Sequence, residues 1–159
     1  MKKGVKVVRS VTINRPAAEL FSFWRKLDNL PKFMGHVEEV QVVDNRTSHW
    51  MAKGPAGRRL EWDAEIVNEE PNQRIAWRSR EGADVEQAGS VRFQAGPGGR
   101  GTEVTVSLEY TPPDGIIGRT AARLFGEEPG SQLQEDLNRF KALMETGEIP
   151  MAPAQFVRS

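Results

Sequence analysis

The chain contains no cysteine, a single tyrosine and two histidines, and its 22 basic residues are balanced by 22 acidic ones over 159 positions. Each scarcity closes a class of function. Without cysteine there is no disulfide framework and no thiolate chemistry, and a reducing, cytoplasmic setting is expected. With a net charge of +0, no global field draws the protein toward nucleic acid or an anionic membrane. No stretch approaches the roughly 20 apolar residues of a membrane span. The opening MKKGVKVVRS is basic but lacks the apolar run and small-residue cleavage site of a secretory leader, so neither a leader nor an integral membrane segment is expected. The length suits one domain with a real core.

What is present is mostly strand chemistry. From Gly4 to Asn14, Val5, Val7, Val11 and Ile13 keep one parity, the period-two mark of a strand with one buried face. Arg9 interrupts that parity and is expected at a bulge or rim. Pro16 then opens PAAELFSFWRKL, in which Leu20, Phe21, Phe23, Trp24 and Leu27 form the stripe of a short amphipathic helix. DNLPKFMG allows one further helical turn or two before Gly35 stops it.

After His36, six runs of strand length follow: VEEVQVVD, SHWMAKG, RRLEWDAEIV, RIAWRSRE, EQAGSVRFQA and TEVTVSLEYT. They are separated by turn-forming segments such as GPAG, EEPNQ and GPGGRG, and the short connections imply antiparallel neighbours. With Ala56 at the centre of the GPAG turn, Trp50 falls opposite Trp62 and Ala52 opposite Leu60, all on one face. A second turn near Glu70 and Pro71 sets Ala64 against Trp77 and Trp62 against Ser79. In the same register Glu61 and Asp63 lie across from Arg80 and Arg78 on the opposite, wet face, with Glu65 beside Ala76. The last strand alternates likewise, Val104, Val106, Leu108 and Tyr110 inward and Glu103, Thr105, Ser107 and Glu109 outward, as expected of a sheet covered on one side.

The cover is expected from the C-terminal segment. GSQLQEDLNRFKALMETGE spaces Leu133, Leu137, Phe140 and Met144 helically, with Gly147 as a stop, so residues 131 to 145 are expected to be helical. DGIIGRTAARLFGEEPG before it reads as a weaker helical stretch broken at Gly126 and Pro129. The tail 151–159 is expected to fray.

These segments, taken together, resemble a known family. A strand, two small helices, a six-strand meander and a long terminal helix resemble the helix-grip fold of the START-like superfamily. SVTINRPAAELFSFWRKLDNLPKFMGHVEEV, AGRRLEWDAEI, GSVRFQ with GTEVTVSLEYTPP, and LFGEEPGSQLQEDLNRFKALMETGEIP are similar to its bacterial polyketide cyclase/dehydrase branch, also termed SRPBCC. The resemblance implies an α+β fold over residues 1–150 as one domain: a curved seven-stranded antiparallel sheet gripping the C-terminal helix around a cavity. That cavity would take a lipid-, sterol- or polyketide-like molecule. The inward residues assigned to it are Trp24, Phe33, Trp50, Trp62, Trp77, Phe93, Tyr110, Leu124, Phe125, Leu133 and Leu137, with His36 at the rim and Ser79 as a polar group inside. Periodicity alone reads the same set as a filled core; the space comes from the resemblance.

Other chemistries find no footing. There is no G-x-S-x-G elbow, phosphate loop or dinucleotide fingerprint, and GPGGRG sits between two strands as a hairpin loop. His36 and His49, thirteen residues apart with no shared helical face, make no metal site, and His49 has the outward parity of a solvated residue. No metal and no cofactor are expected. The leading expectation is therefore a binding or carrier protein for an apolar or amphipathic small molecule, with neither monomer nor dimer specified. An enzyme of cyclase/dehydratase type, with Tyr110, His36 or Arg9 moving a proton, is the alternative. A partner-binding module using the charged outer face or LFGEEPG is the third.

Overall fold

The computed structural model describes residues 5–53, 59–83, 86–111 and 129–148. Strand β1 (Val5–Ile13) leads to helix α1 (Ala17–Arg25) and a 3₁₀ turn over Leu27–Lys32. Six strands follow: β2 (Val37–Val42), β3 (Thr47–Lys53), β4 (Arg59–Glu70), β5 (Arg74–Ser79), β6 (Glu86–Ala95) and β7 (Thr102–Thr111). Helix α2 (Pro129–Thr146) ends the described chain. The seven strands form one sheet in the order β1-β7-β6-β5-β4-β3-β2, every neighbouring pair antiparallel. This is the expected meander, with the first strand returned to the edge beside the last.

Local chemistry explains the helices. Pro16 holds φ at −66° ahead of α1, and its carbonyl accepts from the amides of Glu19 and Leu20 at 3.1 and 3.2 Å. One face of α1 buries Leu20, Phe21 and Trp24. Pro129 opens α2, where its missing N–H costs nothing, and Gly147 closes it at φ +81°, donating to the Leu143 carbonyl at 2.8 Å. Arg15 caps the same end, giving Nε to the Met144 carbonyl and Nη2 to the Glu145 carbonyl at 3.0 and 2.9 Å, a cation on the negative pole of the helix. Lys141 Nζ donates to the Thr12 carbonyl at 2.7 Å, tying α2 to β1. Leu133, Leu137 and Phe140 of α2 are buried in the core, so the helix covers the concave, apolar face as expected.

Three register details differ from expectation. Trp50 does pair with Trp62, and Ala52 with Leu60, but the next hairpin sets Ala64 against Ser79 and Ile66 against Trp77. The turn is centred on Asn72, which lies in the left-handed region at φ 63°, rather than between Glu70 and Pro71, and the pairing shifts between Ile66 and Asn68, so the partners move by two residues. Asparagine tolerates that conformation, and the extra residue, Val67, is extruded as a bulge and exposed. The faces survive because the error is an even number of residues. The outer ladder moves with it: Glu65 pairs with Arg78 at 3.4 Å, and Asp63 and Glu61 instead hold the two nitrogens of His49 at 2.7 and 2.9 Å. His49 is outward as expected, but it is a clasp between β3 and β4 rather than a merely solvated ring. Finally, β1 pairs with β7 without interruption from Val5 to Ile13, so Arg9 sits at no bulge and keeps the inward parity of Val7 and Val11.

The expected break at Gly126 lies outside the described residues, as do Leu124, Phe125 and the tail.

Candidate functional site

The concave face is best described in rows running across the strands. One row is Val11, Val104 and Phe93; the next is Arg9, Val106, Val91 and Ile75; the third is Val7, Leu108, Gly89, Trp77 and Ile66. A fourth position contains Tyr110, Gln87, Ser79, Ala64 and Ser48. Burial changes sharply along this series. The change lies on β7 and β6: Val104, Val106 and Val91 are at 0% exposure, whereas Leu108 and Gly89 in the third row are half-buried; on edge strand β1, Val7, Arg9 and Val11 are all half-buried, and Trp77 and Ile66 are buried.

Helices cause the difference. Phe21 and Trp24 of α1, Phe33 after the 3₁₀ turn and Phe140 of α2 converge on Phe93, with Phe33 and Phe140 ring centres 4.7 Å apart and Trp24 meeting Phe33 at 5.2 Å and Phe140 edge-on at 5.3 Å. Such tilted and edge-to-face contacts fill space as a crystal does. The third row has a different device. Gly89 lies directly between Trp77 and Leu108, and a Cβ there would meet Trp77 Cζ2 at 2.7 Å and Leu108 Cδ2 at 2.8 Å. The missing side chain is what lets the indole lie across the sheet.

Trp24, Phe33, Trp50, Trp62, Trp77, Phe93, Leu133 and Leu137 all lie on the buried side, each no more than 6% exposed. Trp50 and Trp62 stack with ring centres 5.9 Å apart and planes at 20°. Tyr110 is described by its register alone, between Val5 and Gln87. Gln87 and Gly89 were not singled out in the sequence, though the inward parity of EQAGSVRF carried the signal, and Leu108 was read as inward but not as lining; only the curl of the sheet tells which inward positions the described helices leave half-buried. The enclosed space bounded by Trp24, Trp50, Trp77, Ser48 and Ile75 measures about 10 Å³, the room of a single water.

Polar groups on this face are few and mostly donors. Trp50 Nε1 donates to Ser48 Oγ at 2.8 Å, and the Gln87 amide donates to Ser79 Oγ at 2.9 Å, so both serine oxygens are occupied. The indole N–H groups of Trp24, Trp62 and Trp77 are buried without an acceptor among the described residues. At the junction of the 3₁₀ turn with α2, Asp136 accepts from the Gly35 amide at 3.1 Å and is ion-paired with Arg139, whose Nε donates to the Phe33 carbonyl at 2.9 Å. Burial pushes the Asp136 carboxyl up to about 6, against the pull of Gly35 and Arg139. His36 beside it is lowered to about 4 by burial and by the Arg139 charge, so its imidazole is neutral at pH 7. This cluster locks the chain before β2 onto α2, with His36 the residue immediately before β2.

Among the described residues no cluster of carboxylate and imidazole groups has metal-binding geometry, and no helix is long and apolar enough to cross a membrane. Comparison with known proteins places the fold. The crystal structure of DR_A0006 from Deinococcus radiodurans is 41% identical, with a TM-score of 0.76 over 91% of this chain and 99% of that one. An uncharacterized 17.2 kDa protein of Streptomyces lincolnensis is 29% identical over 140 residues, 88% of this chain and 89% of its own length. A START superfamily protein from Mycobacterium smegmatis shares the fold at 14% identity and a TM-score of 0.67, over 87% and 98% of the two chains. The seven-stranded antiparallel sheet, its terminal helix and a family model spanning residues 13–138 agree, and the chain belongs to the polyketide cyclase/dehydrase and lipid transport family.

Proposed function

We propose that the protein binds and carries an apolar or amphipathic small molecule along the third row of the concave face. Membership in a family described by cyclase, dehydrase and lipid transport supports a hydrophobic ligand. The observation that carries the reading is the step in burial from 0% at Val106 and Val91 to the half-buried Leu108 and Gly89 one row on, beside a buried tryptophan wall. Apolar concave surface with few polar groups is the usual form of a small-molecule site. In this reading Trp50, Trp62 and Trp77 form the wall, Ser79 and Gln87 its polar margin and His36 the rim. Trp24, Phe33, Phe93, Leu133 and Leu137 form the closed floor against which the ligand ends, and Tyr110, Leu124 and Phe125 keep their assignment to the lining. The cavity of about 10 Å³ adjoining Trp24 and Trp77 would take no more than a ligand's terminal atoms.

Because the Asp136, Arg139 and His36 cluster is engaged in holding the chain before β2 onto α2, binding rather than catalysis is the proposed role, within a single domain over residues 1–150. The balanced charge and cysteine-free composition favour a cytoplasmic setting with no nucleic-acid partner. Titration with Nile red, an uncharged apolar probe, tests the reading by probe and tryptophan fluorescence, together with native mass spectrometry of protein taken from its own host. Saturable binding that perturbs the tryptophans, with a co-purifying small molecule, is expected. No saturable binding and no co-purifying molecule would leave a packed scaffold.

A further inference from the structure

Arg9 is a cation on a face otherwise built of valine, leucine and tryptophan. It shares the parity of Val7, Val11 and Ile13, all packed in or against the core, and stands directly across from fully buried Val106. Its side chain is half-buried and extends toward α2, where a Cβ on residue 130 would run into the guanidinium; that position is Gly130. Among the described residues, one hydrogen bond engages the fork, Nη1 to the Val8 carbonyl at 2.9 Å, and no carboxylate pairs with it. The acidic residues of the neighbouring strand, Glu103 and Glu109, have the opposite, outward parity. The contrast with Arg15, Arg25 and Arg139 is direct, since each of those has a carboxylate within 4 Å.

A half-buried guanidinium with no carboxylate partner among the described residues keeps its planar fork available for a carboxylate or phosphate. Arg9 lies one inward step along β1 from Val7, which begins the row that continues through half-buried Leu108 and Gly89 to Trp77. That row crosses from β1 to β5, three strand spacings or about 14 Å, the length scale of an acyl chain. We propose that Arg9 receives the anionic head group of an amphiphile whose chain lies along Leu108 and Gly89 toward Trp77. The assignment rests on the carrier reading and narrows it: the ligand class is an anionic amphiphile, such as a long-chain carboxylate, rather than a neutral lipid.

The test compares dodecanoate with 1-dodecanol, equal in chain length and different in head-group charge, by tryptophan fluorescence and calorimetry. Wild type is expected to bind dodecanoate about tenfold or more tightly than the alcohol, the scale of a charge-assisted contact. Arg9→Gln should erase that preference while leaving dodecanol affinity unchanged. Gly130→Ala, which keeps the charge but displaces the guanidinium, should reduce it in the same direction and serves if Arg9→Gln does not fold. Equal binding of both ligands by wild type, or a preference that survives both substitutions, overturns the inference alone. Binding of neither ligand overturns the carrier reading and this inference together.

Discussion

At one end of the concave face, Phe21, Trp24, Phe33, Phe93 and Phe140 interlock ring against ring; two rows along the same strands, about 14 Å away, Trp77 lies over Gly89 beside a half-buried Leu108. Both ends use inward positions of the same strands. At the first, α1, the turn after it and α2 each contribute an aromatic ring, so Val104 and Phe93 are closed over. At the second, among the described residues, the wall is made by the sheet itself. An aromatic side chain is thus core or surface according to what the helices bring to it, and not according to its own strand.

The comparison breaks most plainly under truncation. Trp24→Ala removes a fully buried ring from the middle of the closed end and is expected to cost about 3–5 kcal/mol, a large share of a domain's stability. In the carrier reading one side of the Trp62 indole faces ligand space, so Trp62→Ala should cost less, about 2 kcal/mol, and should act mainly on affinity for an apolar probe. Denaturant unfolding with Nile red titration on both variants measures the pair. Equal losses of stability with no change in binding for Trp62→Ala would erase the distinction between the two ends.

A smaller effect sharpens the open end. Gly89→Ala forces a methyl group to within 2.7 Å of Trp77 and 2.8 Å of Leu108. Displacing both should cost about 1–3 kcal/mol and shift the tryptophan emission. An unchanged spectrum and midpoint would mean that the indole does not depend on the bare backbone at this position.

The smallest effects are electrostatic, and they separate the buried rim from the outer face. His36, lowered to about 4, is neutral when folded, so its contribution to stability is complete above the unfolded value of 6.5 and is lost as pH falls through 4. Asp136, raised from 3.8 to about 6, acts oppositely, favouring the fold more as pH falls between 6 and 3.8. The two partly cancel, and stability should change little from pH 6 to 4 in wild type but drop with acid in Asp136→Asn. His49 is raised, first by its hydrogen bond to Asp63 and then by that to Glu61, so its stabilising charge is present below 6.5 and lost as pH rises through its folded value. As an exposed pair it should contribute less than about 1 kcal/mol. Imidazole NMR titration reads both: His36 should titrate about two units or more below His49, and coincident midpoints would contradict the geometry at one of the two sites.

Much of this architecture could be read in the residues. Period-two alternation placed all seven strands, because a sheet wet on one face must alternate, and helical spacing of Leu133, Leu137 and Phe140 marked α2. The Trp50 and Trp62 pairing followed from a short turn whose centre composition makes plain. The turn at Pro71 to Gln73 was less legible: several residues of EEPNQ suit a turn, and the extruded Val67 leaves no compositional mark, so the partners of Trp77 were placed two residues off.

Arg9 marks the same limit. Its charge in a strand of valines suggested a bulge or a rim position, since a lone sequence prices a buried cation as an error to be avoided. The unbroken pairing with β7 and the bare Gly130 opposite show that the fold makes room for it. The amino-acid sequence by itself determined which face of each strand is apolar, where the described helices start and stop, and that no thiol is available. Only the tertiary structure decided which apolar positions are filled, which are left half-buried, and which charges meet a partner. Those outcomes depend on distances between segments up to 131 residues apart, as between Asn14 and Glu145, and no local pattern encodes a distance that the curl of a sheet and the seating of a helix set jointly.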